Sequence, residues 1–136
     1  MYVKQNFVSS DKVKAFQKGL AQIGGIIPEN RLLILSPNEP ETQIGGIIIP
    51  GTSKDQLPRK GVIIQRGEIT EENITYRDMV EPGRVITYGL YAGKEIEFSK
   101  EIFPIELRPE LEQQKFTIIS LTEVVYTESN PSEYED

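Results

Sequence analysis

Few residues in this sequence are equipped for covalent or acid–base chemistry. Its 136 residues include 0 His and 0 Cys. That removes imidazole proton shuttles, thiolate nucleophiles, Ser-His and Cys-His pairs, disulfides and zinc fingers. Carboxylates, lysines and tyrosines remain. The acid pairs Glu71-Glu72 and Glu95/Glu97 would serve proton transfer if burial raised one pKa of a pair. Both stand in polar stretches and read as solvated faces. No catalytic residue, metal ligand or cofactor motif is assigned, and the chain is not expected to be an enzyme.

The residues that stand out are suited to docking instead. Ile44-Gly45-Gly46-Ile47-Ile48-Ile49 lies within a stretch from Asn38 to Pro58 that also carries Pro40, Pro50 and Gly51. That composition predicts a loop of roughly twenty residues, well beyond the usual loop length. Glycine pairs give backbone freedom. Three adjacent isoleucines left exposed are a liability unless a partner covers them. Each would contribute ~1.5–3 kcal/mol when buried in an apolar groove.

The rest of the chain must position that loop. A hydrophobic fraction of 38% suits one modest core and a single domain. Lys plus Arg number 15 and Asp plus Glu 21, a net charge of −6. An acidic chain of this kind is a poor match for nucleic acid. No apolar run approaches the ~18 residues of a membrane span, and Met1–Ser10 lacks the apolar segment of a secretory signal. A cytoplasmic setting is expected, with no membrane and no nucleic acid as partner.

Residues 1–30 read as an appendage, dispensable for docking up to residue 26. Ser10-Asp11 is placed to cap a short helix with Val13, Phe16 and Leu20 on one face; Gly19 weakens it and Gly24-Gly25 ends it. Strands are expected at Arg31–Leu35, Val62–Ile64, Val85–Tyr88, Glu95–Phe98, Phe116–Ser120 and Val124–Thr127. Between them, Gly67–Asp78 is turn-like with a possible hairpin, Glu81-Pro82-Gly83-Arg84 is a tight turn, and Ser99–Lys115 is a surface excursion. Residues 128–136 form an acidic tail expected to be disordered. Short strands divided by Gly/Pro turns predict a mostly β chain, a small barrel or sandwich.

Two segments nearly repeat one another. Gln22-Ile23-Gly24-Gly25-Ile26-Ile27-Pro28 matches Gln43-Ile44-Gly45-Gly46-Ile47-Ile48-Ile49-Pro50. Either the first copy is a second docking hook, or the match is a coincidence of Gly-Gly punctuation in an Ile-rich chain. The second is favoured, because the first copy runs straight into a strand.

Taken in order, five blocks resemble GroES-type co-chaperonins, the chaperonin-10 family. The first is Pro28-Glu29-Asn30-Arg31 leading into Leu32–Leu35. The second is the loop motif, Glu41-Thr42-Gln43 followed by Ile44–Pro50. Arg59-Lys60-Gly61-Val62-Ile63-Ile64-Gln65-Arg66-Gly67, Val80-Glu81-Pro82-Gly83-Arg84-Val85-Ile86-Thr87-Tyr88 and Thr117–Val125 complete the series. The resemblance covers about Ile27 to Thr127. It departs from the family in residues 1–27, in Arg84 where the family has Asp, in the Ser99–Lys115 insertion, and in the missing Asn-Gly turn of the roof hairpin. Such drift resembles the divergent co-chaperonins of large bacteriophages.

The resemblance implies a GroES-like β-barrel over 28–127 with a mobile loop at 38–58 and an N-terminal extension over 1–27. It implies a homo-oligomeric ring, a heptamer, that caps a GroEL-type chaperonin in its ATP- or ADP-bound state and encloses a client. Ile44, Gly45, Gly46, Ile47, Ile48 and Ile49 would contact the chaperonin. Ring contacts would run between the first strand (Arg31, Leu32, Leu33, Ile34, Leu35) and the last (Glu123, Val124, Val125, Tyr126) of the next copy. The same barrel would also suit a virion or scaffold protein in which Ile44–Pro50 is a fixed subunit contact.

Overall fold

The computed structural model describes residues 8–37, 43–44, 47–48, 59–89 and 92–128. Among the described residues there are eight strands: β1 (Arg31–Pro37), β2 (Gln43–Ile44), β3 (Ile47–Ile48), β4 (Arg59–Arg66), β5 (Val85–Tyr88), β6 (Lys94–Ile96), β7 (Gln114–Ser120) and β8 (Val124–Glu128). Six of them form one antiparallel sheet in the order β6-β7-β1-β4-β5-β8, while β2 and β3 pair with each other. The chain is mostly β, as its pattern of short strands predicted.

The unbroken apolar run at the start of β1 has a direct cause. Alternate residues of a strand face opposite sides of the sheet, and here both sides are covered. Leu33 and Leu35 join Val62, Ile64, Val85 and Phe116 in one cluster. Leu32 and Ile34 join Ile63, Ile86, Tyr88, Ile119 and Leu121 in the other. All four β1 side chains are 0% exposed.

The first cluster is roofed by α1 (Ser10–Gln22), which inserts Val13, Phe16 and Leu20. Its N-cap is Ser9 rather than Ser10 or Asp11, and the Ser9 side chain makes no capping bond. Asp11 sits in the first turn, where the helix dipole favours it. The helix stops in a Schellman motif: Gly24 N–H donates to the Ala21 carbonyl (3.1 Å) and Gly25 N–H to that of Leu20 (3.1 Å). Gly24 supplies the left-handed turn that this requires, with φ 63°. Gly19 does not weaken the helix idly. A Cβ there would overlap the Phe103 ring and crowd the Ile102 carbonyl, so glycine lets the helix and the 99–115 segment close together.

That segment is therefore not a surface excursion. Two short 3-10 turns (Lys100–Ile102 and Ile105–Leu107) and α2 (Arg108–Gln113) deliver Phe103 and Leu107, 4% and 2% exposed, to the α1 cluster. Phe16 meets Phe103 edge-on at 5.3 Å and Phe116 at 5.7 Å, and Phe98 meets Phe116 at 5.2 Å. Edge-to-face pairs add ~0.5–1.5 kcal/mol each beyond burial. A Lys12–Glu110 ion pair joins α1 to α2 at the rim. The N-terminal helix is thus built into the core rather than appended to it.

Gly67–Asp78 holds no hairpin. Residues Glu71–Val80 form a 3-10 segment broken at Asn73. Its entry is tied to the turn before β1, where Asn30 adopts φ 58°. The Asn30 carboxamide accepts from Thr70 N–H (3.1 Å) and donates to the Thr70 hydroxyl (3.0 Å). The tight turn at Glu81–Arg84 is as expected, closed by Arg84 N–H on the Glu81 carbonyl (3.1 Å).

Candidate functional site

The long segment between β1 and β4 starts and ends on neighbouring, hydrogen-bonded strands. Its stems are fixed. Arg59, the first residue of β4, donates from its guanidinium to the Pro37 carbonyl at the end of β1 (3.3 Å). One residue earlier, Ser36 is fully buried and accepts a hydrogen bond from the Tyr88 hydroxyl (2.8 Å). Burial pushes the Tyr88 phenol above its ordinary pKa, against the opposing effects of the Ser36 hydrogen bond and the Arg59 charge. The phenol therefore stays a neutral donor.

Within the segment, Gln43 pairs with Ile48 and Ile44 with Ile47. The strands flank Gly45 and Gly46, so the sequence position expected to bend lies between two paired strands. Gly45, Gly46 and Ile49 lie outside the described residues, as does most of the stretch expected to be mobile. Among the described residues, β2 and β3 share no ladder with the main sheet. In the near-duplicate at Gln22–Pro28, Gly24 and Gly25 form the stop of α1.

The two strands expected to meet across a ring prove very different. β1 has β4 on one side and β7 on the other. Its ladder positions are taken and Leu32–Leu35 are buried inside the subunit; only Arg31 of that set is exposed. Arg31–Leu35, expected to face a neighbouring copy, thus lies on a strand paired on both edges within its own subunit, which leaves no backbone ladder groups for another chain. β8, in contrast, is the outer strand beside β5. Val125 and Tyr126 are 73% and 60% exposed. Val124 packs against the second cluster. Glu123 is held internally, its carboxylate accepting from Ser120 N–H (2.7 Å) and Gly93 N–H (3.1 Å).

Sequence reasoning missed a second exposed apolar pair. Ile23 and Ile26, just before β1, are 53% and 88% exposed. The signal was present in the repeated segment but was read through its glycines. Also unread was the role of Thr127, which donates to the Met79 carbonyl (2.7 Å) and pins β8 to the 3-10 segment. No group of His, Cys, Asp and Glu suited to hold a metal occurs among the described residues, and no described helix is long and apolar enough to cross a membrane.

Residues 26–106 match the family model of the chaperonin 10 kDa subunit. Among curated proteins, the co-chaperonin GroES of Bacteroides fragilis is 40% identical over 68 residues, covering 50% of this chain and 71% of its own. That of Parabacteroides distasonis is 38% identical over 76 residues, 56% of this chain and 81% of its own. That of Rhodothermus marinus is 35% identical over 82 residues, 59% of this chain and 81% of its own.

Proposed function

We propose, from the premise that this chain belongs to the chaperonin 10 kDa subunit family of co-chaperonins, that it forms a ring capping a nucleotide-bound GroEL-type chaperonin. The observation that carries the reading is the hairpin of β2 and β3, an Ile-rich tip set between fixed stems and separate from the main sheet. Ile44, Ile47, Ile48 and Ile49 supply apolar contact, and Gly45 and Gly46 supply the bend. One such tip binds weakly, because ordering the rest of the loop consumes much of the gain. Several tips on one ring act together, so capping is firm yet reversible. The chain itself hydrolyses nothing; nucleotide chemistry belongs to the partner. By family membership the ring is a heptamer and works in the cytoplasm. A virion or scaffold role is not favoured, since the relatives are co-chaperonins.

The direct test is capture by a chaperonin with and without ATP. The full chain is expected to be retained when ATP is present and released when it is absent. No retention in either condition would refute capping.

In this reading the ring contact joins two exposed apolar patches: Val125 and Tyr126 on the outer strand β8 of one copy, and Ile23 and Ile26 of the next. Two different patches meeting head to tail generate a ring when the rotation between copies closes. Val125→Asp combined with Tyr126→Ser is expected to turn a sedimenting ring into monomers while the melting temperature of the subunit barely changes, since neither side chain is buried. A ring that survives the double substitution would place the contact elsewhere.

A further inference from the structure

At the root of the long loop, five strands bring polar groups together. Arg59 on β4 stands opposite Tyr88 on β5, Glu95 on β6 opposite Thr117 on β7, and Ser36 on β1 opposite Lys115 on β7. All of these but Ser36 border a cavity of about 160 Å³, which Ala92 and Gly93 also line. A water molecule's share of liquid is about 30 Å³, so the notch has room for one small oxyanion with some hydration.

We propose that this notch binds a small oxyanion or carboxylate. Its charge is one argument. Arg59 and Lys115 contribute two cations and Glu95 one anion, so a single positive charge is left over. Arg59 lines the notch together with Tyr88 and Glu95. Arg59 spends one guanidinium N–H on the Pro37 carbonyl, and a guanidinium has five.

The second argument concerns the hydroxyls. Thr117 is 4% exposed, and its buried hydroxyl makes no hydrogen bond of full geometry, acting on the Tyr88 oxygen beside it. The Tyr88 proton goes to Ser36. An anion in the notch would offer the Thr117 proton a charged acceptor in place of a neutral phenol oxygen, and charge-assisted hydrogen bonds are the stronger ones.

Glu95 is the internal competitor. It is paired with Lys115, which holds its carboxyl below the usual range through a hydrogen bond and charge, and its side chain is 65% exposed. It can swing into solvent when another anion takes Lys115. Removing it should therefore strengthen binding, a sign that a purely structural role would not produce.

The experiment follows backbone amide signals of Tyr88, Gly93 and Thr117 in the full chain while inorganic phosphate is added at constant ionic strength, with chloride as control. Saturable shifts specific to phosphate are expected. Glu95→Gln should tighten binding by about three- to tenfold, the effect of one unit charge a few ångströms away. Arg59→Gln should abolish the shifts, and Thr117→Val should weaken them in a protein whose spectrum stays dispersed. Acetate in place of phosphate identifies a carboxylate as an accepted ligand. If a carboxylate of the chaperonin is the natural occupant, saturating phosphate lowers capture; if a free oxyanion is, capture is unaffected. Shifts that match chloride, or that persist unchanged in both Arg59→Gln and Glu95→Gln, mean that the notch holds only water and overturn the proposal. None of the phosphate measurements depends on whether the chain caps a chaperonin.

Discussion

Ile48→Ser is expected to leave ring size and melting temperature unchanged and to abolish capture by an ATP-bound chaperonin. Among the described residues, Ile48 pairs with Gln43 in a hairpin that shares no ladder with the six-stranded sheet. If the side chain were core, the substitution would leave a cavity and a buried hydroxyl and destabilise the subunit by about 2–5 kcal/mol. If it is a docking residue, each loop loses ~1.5–3 kcal/mol of contact. The loss repeats in every copy of the ring, and multivalent binding falls by far more than the single-site factor. A drop of at least about a hundredfold in retention is the expected size. Unfolding of the variant, or undiminished capture, would each reject the hook.

Phe16→Ala is expected to be the most damaging single truncation in the N-terminal thirty residues, at about 3–5 kcal/mol. Phe16 is 0% exposed and makes edge-to-face contacts with both Phe103 and Phe116. For a chain of this size the loss corresponds to a fall in melting temperature of at least about 10 °C. Deleting residues through Ile26 should do more, because it uncovers Leu33, Leu35, Val62 and Ile64 along with the phenylalanines. A deletion variant that melts within a few degrees of the full chain would show that α1 is a removable cover.

How much of this could be read without coordinates depended on the range of the interactions. β1, β4, β5, β7 and β8 were legible because apolar runs bounded by Pro and Gly are local signals. The turn at Glu81–Arg84 was legible for the same reason. The 99–115 segment was misjudged because its Phe103 and Leu107 look like isolated apolar residues in a polar stretch; only contact with Phe16, distant in sequence, makes them core. Gly19 was misjudged likewise, since helix propensity does not register a ring packed against it. In the candidate site, the isoleucines and glycines were visible as composition. The notch was not, since Arg59, Thr117 and Glu95 meet through strand register alone. β8 lies at the edge of the sheet and β1 at its centre, a difference that an apolar run does not reveal, because it does not show how many neighbours a strand has.

The central place of β1 also sets an order of events at the ribosome. Its neighbour β7 pairs Ile34 with Thr117, so one edge of the strand waits for a segment made roughly eighty residues later, several seconds at ordinary synthesis rates of ~5–20 residues per second. Its other neighbour, β4, arrives much sooner, but only after the long loop has been made. Until then Leu32–Leu35 and the apolar face of α1 emerge together with no sheet to cover them. Pairings this distant in sequence fold slowly and leave sticky intermediates. A newborn subunit of this co-chaperonin therefore passes through a stage in which it resembles the clients its family exists to serve.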